Sequence, residues 1–367
     1  MRRFEQKDRL VFALWAFGVV GTFVLLREAW VGTLADRDFV AVWVAGKFAA
    51  SGHAALAFDN TKLLALAKAL VGTEPKIAYP YPPHALFVAV PLSYLPYPLA
   101  YWGWQAVSAA FFYWAARPYS PARFPKLLAI LTPAALINVV FGQVGLFFGA
   151  LWLFAFRGSA IAAAALTFKP HLGWLTGIEM LRARRVISTS IFAIAILAAS
   201  AMIFGVDAWR SWLLGSAAHQ VSDLANKPYT NWYFKMPTPY LGYGLVGWLL
   251  FGAAAVVLLC RWFDVFSAAT ASFLIAPYGF HYDMPVVCLG FGLLLYLRWQ
   301  SLPPWQTFFL ALGFLLPLLV GQGTWLGPPI LLVALYIQTE NPIAEGGFSF
   351  LQRHAERRIK VGRSEPY

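Results

Sequence analysis

With 367 residues, of which 60% are apolar and only 12% charged, the chain lies far from ordinary soluble proteins, where roughly 25% of residues are charged. That excludes a water-soluble globular domain as the leading class and leaves an all-α polytopic membrane protein. The net charge of +12 is scattered, with no basic stripe interleaved with aromatics, so it does not mark a nucleic-acid binder. Cys260 and Cys288 each sit inside an apolar run, which gives neither a disulfide framework nor a metal-binding pair.

A helix needs about 20 apolar residues to cross a bilayer core of roughly 30 Å. Apolar runs predict spans at 9–27, 84–116 (a broken pair around Pro91 to Pro98), 126–141, 143–156, 158–168, 171–182, 186–206, 239–261, 265–279, 283–298, 304–320 and 325–338. That makes about 10–12 helices within a transmembrane domain over 1–338, followed by a basic and polar tail at 339–367. The first run follows Met-Arg-Arg but has no small-residue cleavage site, so it reads as an uncleaved span. The runs 143–156 and 158–168 are too short to cross singly. They read as a re-entrant hairpin or tilted half-helices, which keeps Gln143 and Lys169 on one side.

With a cytoplasmic amino terminus, most of the Lys and Arg fall in short inner segments and in the tail, and the longer outer loops at 28–83 and 207–238 hold the minority. This is the distribution that orients polytopic proteins. It places 36–83, 138–143, 169–171, 207–239 and 278–283 on the outer face, where nearly all the unusual polar residues then gather. Both termini are expected in the cytoplasm.

Each outer segment has two readings. Asp38, before the amphipathic stretch Phe39 to Gly46, is either a helix N-cap or a general base at the membrane surface. Tyr79-Pro80-Tyr81-Pro82-Pro83-His84 is either a rigid extended connector or a tyrosine wall for a sugar. Asn138 and Gln143 either cap a helix end or contact substrate. Lys169 either snorkels or, with Pro170 and His171, forms an anion site at a helix start. Asn231 and Trp232 lie in an aromatic segment suited to carbohydrate or to an interfacial belt. In Pro277-Tyr278-Gly279-Phe280-His281-Tyr282-Asp283, the acid is either an N-cap or a functional ionisable group at the membrane edge. No GxxxxGK[ST], HExxH or GxSxG pattern occurs, which removes support for nucleotide-driven transport, zinc proteolysis and elbow-type serine hydrolysis.

Taken in order, five pieces resemble glycosyltransferase family 87 over roughly residues 10 to 300. They are Asp38-Phe39 with Trp43 and Ala45-Gly46; Tyr79-Pro80-Tyr81-Pro82-Pro83; Asn138 with Phe141-Gly142-Gln143; Phe168-Lys169-Pro170-His171; and Pro277-Tyr278 with Tyr282-Asp283. The family includes polyprenol-phosphate-mannose-dependent mannosyltransferases and arabinofuranosyltransferases. The resemblance implies a GT-C-type multi-span helical bundle with a large first extracytoplasmic loop, in the bacterial cytoplasmic membrane, with its active site outside. It implies inverting transfer of a hexose or pentose from a polyprenyl-phosphate sugar to a lipid- or glycan-linked hydroxyl, without nucleic acid or a further cofactor.

By the same resemblance Asp38 is the base, and Lys169, His171 and His281 hold the donor phosphate. Tyr79, Tyr81, Asn138, Gln143, Asn231, Trp232, Tyr278 and Asp283 line the cleft. Asp36 is out of register, so a metal-binding acid pair is not expected. The alternatives from other classes are a transporter or lipid flippase for envelope precursors, which would carry ionisable groups at the midplane and internal repeats, and a non-catalytic scaffold.

Overall fold

A computed structural model of the chain describes residues 6–72, 79–216, 244–276, 279–319, 326–343 and 347. Its described secondary-structure elements are helices. In chain order the principal ones are α1 (Gln6–Leu25), α2 (Arg27–Val31), α3 (Phe39–Ala50), α4 (Asn60–Val71), α5 (Leu86–Ser93), α6 (Tyr97–Ala116), α7 (Pro133–Phe141), α8 (Gly145–Ala155), α9 (Ala160–Ala165), α10 (Pro170–Gly173), α11 (Thr176–Arg182), α12 (Val186–Phe204), α13 (Val206–Ser211), α14 (Gly244–Arg261), α15 (Val265–Ile275), α16 (Pro285–Arg298), α17 (Pro304–Leu319) and α18 (Gly327–Glu340).

Local chemistry sets several of these boundaries. Thr132 accepts from the Ala135 amide and Pro133 opens α7, as a proline tolerated in a first turn should. Asp264 accepts from the amides of Phe266 and Ser267 while the Ser267 hydroxyl accepts from the Asp264 amide, a reciprocal cap for α15. The expected break in 84–116 falls at 94–96, with Pro96 capping α6. The two short runs form α8 and α9, which pack against each other.

The centre of the bundle is aromatic and tightly packed: Trp15, Trp152, Phe112, Phe266, Phe291 and Phe314 are fully buried. α6 lies along α8, and α16 along α17. The first outer segment differs from the loop expected there. Phe39, Val40, Val44 and Ala45 are wholly buried, and α3 packs against α5 as part of the core. Its apolar residues cover most of the turn of the helix rather than one stripe, so the segment folds inward.

Among the described helices only α12 is both long and apolar enough to span a membrane by itself, with a mean hydropathy of 2.3. Eight other apolar helices or helical stretches run for 10–17 residues. α12 packs on α9 and turns Ile187, Ile191, Ile194, Met202 and Ile203 outward.

Candidate active site

The corner between α7 and α8 organises the site. Gly142 ends α7 in the left-handed conformation (φ +72°), and the amides of Gly142 and Gln143 both donate to the Asn138 carbonyl. A Cβ on Gly142 would lie 2.6 Å from Cβ of Phe39, so only glycine lets the end of α7 press against the start of α3.

That contact delivers Gln143 to Asp38. Gln143 Nε2 donates to Asp38 Oδ2 at 2.7 Å, Tyr81 OH donates to Gln143 Oε1 at 3.3 Å, and Trp104 Nε1 donates to the Gln143 carbonyl at 3.3 Å. The amide has one consistent orientation, with its nitrogen toward the carboxylate and its oxygen toward the phenol. Asp38 occupies the N-cap position of α3 but makes no side-chain cap bond there. The capping role open to Asp38 in the sequence is therefore not what the side chain does, and the partly exposed carboxylate is held from across the molecule.

The second half of the site is a buried ion pair. Lys169 Nζ lies 2.7 Å from both carboxylate oxygens of Asp283, with the Tyr81 ring 5.7 Å away and the Tyr282 ring 5.4 Å away. Lys169 does not snorkel and Asp283 does not cap a helix; each is the other's partner. Burial pushes the Asp283 carboxyl upward, with Lys169 opposing.

The turn carrying Tyr282 and Asp283 is held by the same corner. Asn138 Nδ2 donates to the Tyr282 carbonyl at 3.3 Å, and a Cβ on Gly145 would overlap that carbonyl oxygen. The helix that follows Lys169, α10, is a single turn, so it supplies little of the dipole expected of a helix start at Pro170.

The remaining candidates flank this core. Tyr79 packs edge-on against Tyr81 with ring centroids 5.5 Å apart, and His281 meets Phe141 edge-on at 6.2 Å. Burial brings the His281 imidazole down to about 4. Burial, together with the Lys169 charge, brings His171 down to about 3. Both rings are therefore neutral near pH 7 and offer N–H groups rather than charge. Asn231, Trp232 and Tyr278 lie outside the described residues. No group of three His, Cys, Asp and Glu side chains among the described residues could hold a metal ion.

Sequence reasoning missed Trp104 and Tyr101 and gave His84 no role of its own within its motif. Tyr101 OH donates to the Val139 carbonyl at 2.5 Å and the Val140 carbonyl at 3.0 Å, bracing the end of α7. Nothing in an apolar, aromatic-rich run separates these rings from an interfacial belt. His84 Nε2 lies 3.2 Å from Thr167 Oγ1, whose hydroxyl donates to the Ala164 carbonyl at 2.7 Å. Since that hydroxyl proton is already used, His84 donates through Nε2.

The model of glycosyltransferase family 87 matches residues 79–278 of the chain. The matched stretch contains Tyr79, Tyr81, Asn138, Gln143, Lys169 and His171, while Asp38, His281 and Asp283 lie beyond its ends. No curated protein and no solved structure matches the chain.

Proposed function

The chain belongs to glycosyltransferase family 87, and from that premise we propose that it transfers a hexose or pentose, with inversion, from a polyprenyl-phosphate donor to a lipid- or glycan-linked hydroxyl, using Asp38 as general base. The observation that carries this reading is the joining of Asp38 to the Lys169–Asp283 pair through Gln143 and Tyr81. A partly exposed carboxylate that accepts from an amide, a few side chains from a buried cation, suits in-line displacement of a phosphate-linked sugar.

In that displacement the acceptor oxygen attacks the anomeric carbon from the side opposite the departing phosphate. Asp38 accepts the hydroxyl proton as the bond forms. Lys169 stabilises the charge that develops on the phosphate, and His171 and His281 add neutral N–H donors to that wall. Tyr79, Tyr81, Asn138, Asn231, Trp232 and Tyr278 would line the sugar, and Asp283 holds Lys169 in place. The chemistry needs no metal ion.

We place the enzyme as a polytopic protein of the bacterial cytoplasmic membrane, with both termini in the cytoplasm and the site at the outer surface. The apolar perimeter supports this. Ile187 and Ile203 on α12 and Val246 and Leu250 on α14 are each about two-thirds exposed or more, a surface that is costly in water and at ease in lipid. A polyprenyl donor would then reach the site sideways, from the bilayer.

Asp38→Asn tests the assignment, because it keeps the shape of the side chain and removes the base. Transfer in purified membranes is expected to fall by about 10²- to 10⁴-fold, with folding and donor binding retained. An Asp38→Asn enzyme of normal activity would sink it.

A further inference from the structure

Five acidic or basic side chains other than histidine are buried among the described residues: Arg37, Lys169, Glu179, Asp264 and Asp283. Four of them are satisfied. Lys169 and Asp283 hold each other. Glu179 takes a two-pronged contact from Arg182 at 2.7 Å. Asp264 accepts from two backbone amides and from Trp262 Nε1.

Arg37 alone has no such partner. It is 5% exposed, no carboxylate among the described residues pairs with it, Nε is buried without an acceptor, and Nη2 makes one long contact to the Gly32 carbonyl at 3.4 Å. A guanidinium taken out of water without a counter-charge is costly unless a ligand supplies one.

Its surroundings say which kind of anion. Arg37 follows the turn Leu34–Asp36, which Tyr97 OH of α6 holds by donating to the Leu34 carbonyl at 2.7 Å. The elements on either side turn apolar residues outward: α2 buries none of its residues, Val31 is 78% exposed, and Leu99 and Trp102 of α6 are half exposed. The free cation therefore stands at the head of an apolar flank. It is also the neighbour in sequence of Asp38, on the base side of the reaction, whereas Lys169 belongs to the donor side and already carries its counter-charge.

Inversion requires the acceptor to occupy the base side. Resting on the glycosyl-transfer reading, we propose that Arg37 binds the phosphate of a phospholipid acceptor whose head group presents the reacting hydroxyl to Asp38. The planar guanidinium would grip two phosphate oxygens, and the acyl chains would lie along Val31, Leu99 and Trp102. The acceptor class is thereby narrowed to a lipid that carries its phosphate close to the hydroxyl, as opposed to a neutral glycan.

Binding to the full-length protein in zwitterionic nanodiscs tests this without any sugar transfer, with phosphatidylglycerol, diacylglycerol and a polyprenyl phosphate titrated separately. The wild type is expected to prefer phosphatidylglycerol over diacylglycerol by about tenfold or more, as suits a charge-assisted phosphate contact. Arg37→Gln should reduce that preference to within about twofold while leaving polyprenyl phosphate binding alone.

The proposal is overturned if the wild type shows no preference, if Arg37→Gln keeps it, or if Arg37→Gln loses polyprenyl phosphate binding instead, which would move the cation to the donor side. Should Arg37→Gln fail to fold, Arg37→Lys serves in its place. It keeps the charge but not the fork, so the preference should weaken several-fold, and an unchanged preference would refute the proposal. Asp38→Asn should keep the lipid preference, so failure of the transfer reading and failure of this one give different results.

Discussion

The two ends of the polar network are built differently. At one end Asp38 is partly exposed and accepts from a neutral amide that reaches it across 105 residues of sequence. At the other, Lys169 and Asp283 are buried and bound by two contacts of 2.7 Å. The first end can exchange partners at little cost, which suits a group that must receive a proton. The second cannot be broken without leaving a bare charge inside the protein, which suits a fixed wall. On the proposed reading, chemistry and stability are divided between two carboxylates, and substitutions should separate them.

The largest effect on stability is expected at the buried pair. Asp283→Asn leaves Lys169 charged and unpartnered and should cost about 3–5 kcal/mol, whereas replacing both residues by apolar ones of similar size should recover most of that loss. Denaturation in detergent measures both, and Asp38→Asn should melt close to wild type in the same assay. An Asp283→Asn protein as stable as wild type would erase the distinction between the two ends.

A smaller effect is expected at the bridge. Gln143→Leu removes the donor to Asp38 and should lower kcat by about ten- to a hundredfold, the kinetic equivalent of a hydrogen bond to a charged group worth ~1.5–3 kcal/mol, with KM little changed. A raised KM at unchanged kcat would instead make Gln143 a substrate contact, as its position in the sequence first implied.

The helical architecture was legible because apolar runs and prolines act locally. The break ahead of α6 follows from Pro96, and the short runs at α8 and α9 read as a re-entrant hairpin or tilted half-helices because neither is long enough to cross singly. Asp38, Gln143, Lys169 and Asp283 each stood out as polar residues at the ends of apolar runs. Their pairing did not, because Lys169 and Asp283 are 114 residues apart and either could equally have met water. The burial of α3 was not legible for a related reason: its place in the core depends on the Gly142 contact with Phe39, which no window around residue 40 contains. Arg37 looked like one more outer-face charge, since the absence of a partner is visible only once every neighbour is placed.

The missing Cβ at Gly145 limits which parts of the cleft can adapt. The Tyr282 carbonyl fills the space a side chain would take, so the turn at 281–283 and the start of α8 meet with no clearance between their backbones, and neither can travel toward the other. Lys169, clamped to Asp283, inherits that rigidity. On the proposed reading, substrates of different bulk would be accommodated from the opposite bank, where Asp38 accepts from the rotatable Gln143 amide. Enlarging the range of sugars or acceptors by design should begin there, because the Lys169 bank behaves as an anvil rather than a jaw.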